Sequence, residues 1–215
     1  EGDVSIELLK VSIQLWSKSY WKARKIWKRQ ELPPRIPDKC RIRVRRNDWV
    51  QRKTQISRSY FEMFKKANEE ITIMSSYFIP GYLFRNNLLK ACRRNVKIKV
   101  ILAGTSDIKL AKHAERYIYG WLLRHGIEIY EFEKTVLHGK LATYDSEWVT
   151  IGSYNVNNIS AFASIELNLD VHDKDFATDL QNRLNAIIAD DCVPITKEDY
   201  NTRFNIFHRF LQWAS

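Results

Sequence analysis

Two neighbouring strings decide how this chain folds: HGKLATYD at positions 138–145 and GSYN at positions 152–155. In the first string, His138 and Lys140 lie two apart in an extended pattern, so their side chains share one face. The ammonium of Lys140 can neutralise phosphate oxygens. The imidazole of His138 can attack phosphorus or give a proton to a leaving oxygen. The first string therefore predicts chemistry on a phosphodiester.

The second string supplies hydrogen-bond donors for the same group. A turn at Gly152 presents Ser153 and Asn155, whose hydroxyl and carboxamide suit phosphoryl oxygens that gain charge in the transition state. Asp145 is not a phosphate ligand by charge, because like charges repel. From its residue type alone we expect it to turn the strand end or to orient a neighbouring group.

Outward from these strings, apolar patterns of alternating period predict strands interleaved with helices. The predicted strands are 40–46, 71–74, 96–102, 127–132, 140–144, 148–151 and 165–171. The predicted helices are 4–29, 54–69, 83–93, 107–125 and 173–189, with an N-cap at Ser106 or Asp107 and a C-cap glycine at Gly126. This alternation predicts an α/β sandwich with a mixed sheet.

The positive charge is concentrated near the start of the chain. Fifteen Lys and Arg stand against three Asp and Glu between Lys10 and Lys53, a local net charge of +12 in a chain of net charge +10. Such a region favours anionic lipid surfaces or nucleic acid, although a solvated basic face without a partner is also consistent with it. The residues around 16–29 mix Trp with Lys and Arg, which suits a membrane interface or docking on a parent domain.

Several classes of protein are disfavoured. No run of about 18 apolar residues indicates a membrane span, and no signal peptide opens the chain. The three cysteines, Cys40, Cys92 and Cys192, are widely spaced, which disfavours a disulfide framework and a structural zinc site. The sequence shows no cluster of metal-ligating residues, and we expect no cofactor.

The two strings together resemble the signature of the phospholipase D superfamily, the HKD motif: H-x-K, four residues, D, six residues, G-S-x-N. Further segments resemble the C-terminal catalytic half of bacterial cardiolipin synthases. These are SYFIP at 76–80, the stretch 104–130 leading into the motif, and 4–25, which resembles the helix closing their first half.

The resemblance implies a phospholipase-D-like half, with a mixed β-sheet sandwiched between α-helices. It implies metal-free chemistry through a phosphohistidine, in which one His attacks phosphorus and a second His protonates the leaving alcohol. By position it implies a catalytic set of His138, Lys140, Asp145 and Glu166, in which Glu166 orients the partner His. It implies that Lys140, Ser153 and Asn155 bind the phosphate.

Two positions depart from the pattern of the family. Ile159 stands near a place where Arg is common, which loses a phosphate contact. Ser164 stands two residues before Glu166, where Asn is common, which loses a hydrogen-bonding group. Both departures leave the substrate open.

The chain carries only one HKD motif. The other histidines are His113, His125, His172 and His208, and none of them has the H-x-K-x4-D setting. A second HKD half must therefore come from a longer parent chain, which the cut appearance of both ends favours, or from a homodimer partner across an isologous interface.

The predicted organisation has four parts. Residues 1–29 form a helix like the tail of a preceding catalytic half, and 30–40 form a Pro-rich linker. Residues 41–195 form the phospholipase-D-like domain, and 196–215 form a C-terminal amphipathic helix that is cut short.

Three functions remain open. The first is a cardiolipin-synthase-like phosphatidyltransferase or phospholipase D, acting on a phospholipid such as phosphatidylglycerol at the anionic surface of a bacterial cytoplasmic membrane. The second is a nuclease or phosphodiesterase of the same superfamily that works as a homodimer, with nucleic acid the less favoured partner. The third is a non-catalytic half-domain that binds anionic surfaces.

Overall fold

The computed structural model describes residues 3–19, 40–106 and 109–200. The strands are Arg41–Asp48 (β1), Lys53–Thr54 (β2), Glu70–Ser75 (β3), Lys97–Ala103 (β4), Glu128–Phe132 (β5), Leu141–Tyr144 (β6), Trp148–Gly152 (β7), Ile165–His172 (β8) and Cys192–Ile195 (β9). The helices are Asp3–Ser19 (α1), Gln55–Lys66 (α2), Tyr82–Cys92 (α3), Lys109–Arg124 (α4), Asn158–Phe162 (α5) and Lys174–Asp191 (α6).

The nine strands form one mixed sheet in the order β2-β1-β8-β7-β6-β3-β4-β5-β9. The three strands β3, β4 and β5 are parallel, and the other pairs are antiparallel. The parallel strands are joined by α3 and α4, as parallel pairing requires a crossover. Their apolar runs, such as ITIM at 71–74, fit strands that are covered on both faces.

Helices cover both faces of this sheet. On one face, α2, α3 and α4 bury Tyr60, Leu88 and Leu122 against the sheet residues Ile73 and Val100. On the other face, α6 buries a second cluster, whose members include Met74, Ile101, Leu141 and Leu184. Burial of this apolar surface is the main stabilising term, at about 25 cal/mol per Å². The predicted sandwich of a mixed sheet between helices is confirmed.

The helix that ends at Arg124 is closed as predicted by a glycine. Gly126 takes a φ of +74°, a left-handed conformation that a side chain disfavours. The amide of Ile127 bonds to the carbonyl of Leu122 at 3.2 Å, which satisfies an end carbonyl of the helix. The chain then enters β5 in the parallel register.

Parts of the predicted organisation lie outside the described residues. These parts are the end of the first helix beyond Ser19, the linker as far as residue 39, the N-cap at Asp107 and the tail from residue 201. The described first helix contacts β1, and the Nη1 atom of Arg46 lies 3.5 Å from Oε1 of Gln14. In the described part of the chain, no helix is both long and apolar enough to cross a membrane.

Candidate functional site

The predicted site residues meet at one edge of the sheet, except for Asp145. The parallel strands β3, β4 and β5 end at this edge, β7 also ends there, and β6 and β8 begin there. Lys140 immediately precedes β6, Ser153 immediately follows β7 and Glu166 is the second residue of β8. The amide of Gly152 bonds to the carbonyl of Lys140 at 3.1 Å, which joins Lys140 to the end of β7 next to Ser153. We call this end of the strands the motif edge, as distinct from the outer strands β2 and β9 of the sheet.

Lys140 is buried at the motif edge. Its side chain is only 7% exposed, and its Nζ donates to the Ser76 hydroxyl at 3.3 Å and to the His138 carbonyl at 3.0 Å. Burial lowers the pKa of Lys140, and the negative charge of Glu166 opposes that decrease. A buried ammonium suits the binding of a phosphate, and the charge of Glu166 helps to keep the amine protonated.

His138 projects from the same loop and is exposed to solvent. Gly139 allows the loop to lie close to β3, because a Cβ at this position would collide with the buried Met74 side chain. The backbone thus places the imidazole outside and the ammonium inside, with one glycine between them. Exposure leaves the His138 ring accessible to a substrate or to a second half-site.

Ser153 and Glu166 are directly bonded. The Ser153 hydroxyl donates to Oε2 of Glu166 and accepts the amide of Leu167 at 3.0 Å. The other carboxylate oxygen, Oε1, accepts the hydroxyl of Ser164 at 2.8 Å. Ser164 therefore supplies one donor to Glu166, although its hydroxyl has fewer hydrogen-bonding groups than the Asn carboxamide that is common at this position.

Asn155 is half-buried, and its Oδ1 atom has no hydrogen-bond partner among the described residues. A buried polar atom without a partner costs about 1–3 kcal/mol, so such atoms are uncommon in folded proteins. The unpartnered atom of Asn155 is thus an acceptor, and donation to a phosphoryl oxygen would use its Nδ2 group, two residues from Ser153. Ile159, the other departure from the family pattern, is 68% exposed on α5 and offers no polar contact.

Asp145 lies at the opposite end of β6 from Lys140, roughly 16 Å away at the usual rise per residue of a strand. Its carboxylate accepts the amides of Asn68, Glu69 and Glu70 at 2.7, 3.0 and 2.8 Å. The backbone at Asp145 has a φ of +49°, which Asp tolerates better than most residues. The Asp145 carboxylate therefore fixes the start of β3, in line with the structural role expected from its residue type, and its membership of the catalytic set stays a prediction.

Two supporting groups at the motif edge were not assigned a role from sequence. One is Ser76, which is 4% exposed and contacts Lys140 across the sheet. The other is Glu115 of α4, whose Oε1 accepts the amide of Phe78 at 2.9 Å and so holds the loop that carries Ser76. Two serines directly after an apolar strand were the available signal for the first group.

Glu115 belongs to a buried cluster of charges. Lys112 donates to Glu115 at 2.9 Å and lies 2.8 Å from Glu131, which Arg116 binds through two nitrogens at 3.1 and 3.0 Å. Burial raises the pKa of Glu115, with the charge of Lys112 acting in the opposite direction. Burial also acts to raise the pKa of Glu131, but the bond from Arg116 and the charge of Lys112 outweigh it and lower that pKa.

The remaining described histidines lie outside the hydrogen-bond network of Lys140 and Glu166. His125 directly follows α4 and His172 is the last residue of β8, both at the opposite edge of the sheet, and His113 is exposed on α4. His208 falls outside the described residues. Within the described ranges, no group of three or more His, Cys, Asp or Glu side chains could hold a metal ion.

Comparison with known sequences gives a consistent family. A model of the cardiolipin synthase PLD-like domain matches residues 60–188. Cardiolipin synthase B of Escherichia coli strain K12 is 36% identical over 172 residues, which cover 79% of this chain and 42% of that protein. Cardiolipin synthase B of Salmonella typhi is 34% identical over 195 residues, or 89% of this chain and 47% of that protein. The chain spans less than half the length of these relatives.

Solved structures share the fold. Nuc, a phospholipase D family member from Salmonella typhimurium, matches with a TM-score of 0.61 and 15% identity, covering 74% of this chain and 99% of that chain. Phosphatidylserine synthase from Haemophilus influenzae matches with a TM-score of 0.59 and 11% identity, covering 83% of this chain and 47% of that chain. At such low identity these likenesses concern the fold alone.

Proposed function

Because this chain belongs to the phospholipase D superfamily, in the family of cardiolipin synthase PLD-like domains, we propose that it forms half of a phosphatidyltransferase active site. The substrate is a phospholipid phosphodiester such as that of phosphatidylglycerol. The observation that carries this proposal is the buried Lys140 ammonium at the motif edge, with the exposed His138 imidazole beside it. The proposed reaction uses no metal and no cofactor.

The proposed reaction has two displacements at phosphorus, and His138 is one of the two histidines involved. In the first, a ring nitrogen of one His bonds to phosphorus as the bond to the leaving alcohol breaks, and the second His protonates that alcohol. In the second, an acceptor alcohol attacks phosphorus, its proton passes to the second His and the nitrogen–phosphorus bond breaks. Water in place of the alcohol gives hydrolysis.

The described side chains have separate parts in this scheme. Lys140 neutralises the phosphate oxygens, and the Asn155 amide donates to the oxygens that gain charge, a type of stabilisation that acts mainly in the transition state. Ser153 adds to this binding by moving its hydroxyl proton from Oε2 of Glu166 to a phosphoryl oxygen. Glu166, held by Ser153 and Ser164, orients the histidine of the other half through its carboxylate.

The second histidine comes from another HKD half. The chain covers only 42% and 47% of the two cardiolipin synthase B relatives, which supports a longer parent chain that contains both halves. A homodimer in which each His138 faces its twin is the alternative arrangement. In either case, we expect the 215 residues alone to lack activity unless they dimerise.

The lipid substrate is favoured over nucleic acid by the relatives. Both relatives at 34–36% identity are named cardiolipin synthases, whereas Nuc shares the fold at 15% identity. The basic stretch between Lys10 and Lys53 supports association with an anionic membrane surface through its charge. We therefore propose that the activity is associated with a bacterial cytoplasmic membrane.

The test is a transfer assay on the full-length protein with phosphatidylglycerol vesicles. His138→Ala should lower phosphatidyl transfer by at least about a thousandfold, as removal of a residue that acts in the chemical step does. His113→Ala, at an exposed histidine of α4, is the matched control and should retain activity. Transfer that survives His138→Ala would refute the catalytic role. Cleavage of DNA without lipid turnover would establish the nuclease instead.

A further inference from the structure

A cavity of about 490 Å³ opens beside the motif edge, between α2, α3 and α5. Its volume falls in the range of sites that hold small molecules, which are concave and mostly apolar. Its wall is largely apolar and includes Phe61, Pro80, Leu83, Val156, Ala161 and Phe162. The chemistry proposed for the motif does not use this space.

The cavity and the phosphodiester site share one segment of backbone. Tyr154 and Val156 line the cavity, and they alternate along the chain with Ser153 and Asn155 of the phosphate site. The amide of Val156 bonds to the Ser75 hydroxyl at 3.4 Å, next to the serine that contacts Lys140. A molecule bound at the phosphate site therefore has an apolar cavity directly beside it.

The rim of the cavity is apolar and exposed. Tyr82, Leu83 and Phe162 are 70%, 59% and 62% exposed, although all three are large apolar or aromatic side chains. Grouped exposure of this kind is unusual on a soluble surface and marks a place where an apolar partner binds. Arg58 adds a positive charge to the lining, which suits a partner with an anionic group.

We propose that this cavity binds one acyl chain of the phospholipid whose phosphodiester lies at Lys140. This inference rests on the proposed function, because it gives the cavity to the substrate of the same site. An acyl chain fits better than an extended peptide, because a peptide needs backbone hydrogen-bond partners and this wall is mostly side-chain carbon. The ligand class is a long acyl chain, from either a phospholipid or a free fatty acid.

The first experiment uses two substrates and the full-length protein. Turnover of dioleoyl phosphatidylglycerol in mixed micelles is compared with turnover of monomeric dihexanoyl phosphatidylglycerol. Ala161→Phe fills the cavity, so the ratio of kcat/KM for the long-chain lipid to that for the short-chain lipid should fall roughly tenfold, within the range that pocket contacts provide. An unchanged ratio overturns the proposal.

A second variant tests the proposal independently in case Ala161→Phe does not fold. Leu83→Asp puts a charge at the exposed rim, in the first turn of α3, and should lower the same ratio. Phe176→Asp is the matched control, because Phe176 is also exposed in the first turn of a helix but lies on α6, across the sheet. An equal fall with Phe176→Asp overturns the proposal.

A binding experiment identifies the source of the chain. A fluorescent analogue of palmitic acid should bind the full-length protein, dioleoyl phosphatidylglycerol should displace it, and Ala161→Phe should abolish its binding. Binding of the probe with an unchanged kinetic ratio assigns the cavity to a free fatty acid and overturns the substrate role. If no phospholipid is turned over at all, the proposed function fails. In that case, loss of probe binding in Ala161→Phe still supports a site for an acyl chain. Absence of probe binding to the unaltered protein excludes such a site.

Discussion

The ammonium of Lys140 lies 3.3 Å from the hydroxyl of Ser76, although the two residues are 64 positions apart in the chain. The contact joins the end of β3 to the loop before β6, and both residues are almost fully buried. Among the described residues, the Lys140 ammonium donates to the Ser76 hydroxyl and to the His138 carbonyl. Ser76 therefore helps to set where the positive charge points.

Ser76→Ala should lower kcat/KM for lipid transfer by about tenfold, since one hydrogen bond to a charged group is worth about 1.5 kcal/mol. Ser59→Ala is the matched control: its hydroxyl is also buried and binds Asp170 at 2.6 Å, away from the phosphate site. Both variants should lose some stability, but only Ser76→Ala should lose activity when folded. Equal kinetic losses would contradict the positioning role.

The role of Asp145 gives a prediction about stability. Asp145→Ala removes the acceptor of three backbone amides at the start of β3, so it should lower the free energy of unfolding by about 2–4 kcal/mol. Asp145→Asn should cost less, because Asn tolerates a positive φ and keeps one acceptor oxygen. Urea unfolding measures both.

The kinetics of Asp145→Asn separate a structural from a catalytic role. Under conditions where it is folded, Asp145→Asn should keep kcat within about twofold of the unaltered protein. A change outside the site leaves the geometry of the site intact. Glu147→Ala, at an exposed acid two residues on, is the control for loss of negative charge. A large fall in kcat without loss of stability would support a catalytic role for Asp145.

Much of the site could be predicted because its residues are adjacent in sequence. The spacing of His138 and Lys140, and of Ser153 and Asn155, follows from strand ends that local patterns reveal. The role of Asp145 could not be derived in this way, because its partners are backbone amides 75 to 77 positions earlier. The same holds for Ser76, which reaches the site only through the pairing of β3 with β6.

The elements that the sequence did not predict are short and lack periodicity. They are β2, with two residues, α5, with five, and β9, which contains Pro194. Proline disfavours a central strand, but β9 is at the edge of the sheet, where proline is tolerated. For α5 the visible signal was Asn157, whose side chain accepts the amide of Ser160 and caps the helix.

The pH dependence of activity should report on Lys140. Burial lowers its pKa and Glu166 opposes the decrease, so Glu166→Gln should lower that pKa further. Because phosphate binding needs the protonated amine, the alkaline limb of kcat/KM should move to lower pH in this variant. The measurement is a pH profile between about pH 6 and pH 10, below and up to the ordinary lysine value.

A control variant isolates the effect of Glu166 on Lys140. Glu147→Gln removes one negative charge from an exposed position at the far end of β6 and should leave the alkaline limb in place. Glu166→Gln keeps one acceptor oxygen for Ser153 or Ser164 and turns the other carboxylate oxygen into an NH2 group, so one of the two hydroxyls must accept instead of donate. An unmoved limb in Glu166→Gln would show that the protonation of Lys140 does not set it.

The buried cluster on α4 should govern stability in acid. Arg116 binds Glu131 through two nitrogens, and this bond helps to hold the pKa of Glu131 below its usual value against the opposing effect of burial. The ionised carboxylate therefore stabilises the fold above the unfolded-state pKa, near pH 4, and this contribution is lost as the pH falls through the lower folded-state value. Arg116→Gln raises the folded-state pKa toward the unfolded-state value, so the pH-dependent contribution becomes smaller and its loss is complete at a higher pH.

At neutral pH, Arg116→Gln should lower the free energy of unfolding by about 2–3 kcal/mol. This is less than the usual 3–5 kcal/mol for a broken buried pair, because Lys112 still contacts Glu131. Arg183→Gln breaks an exposed pair with Asp179 of similar length, 2.8 Å, and should cost no more than about 0.5 kcal/mol. Urea unfolding at neutral pH and near pH 4 measures the free energy of unfolding of both variants. Equal effects of the two variants would mean that burial does not strengthen the Arg116–Glu131 pair.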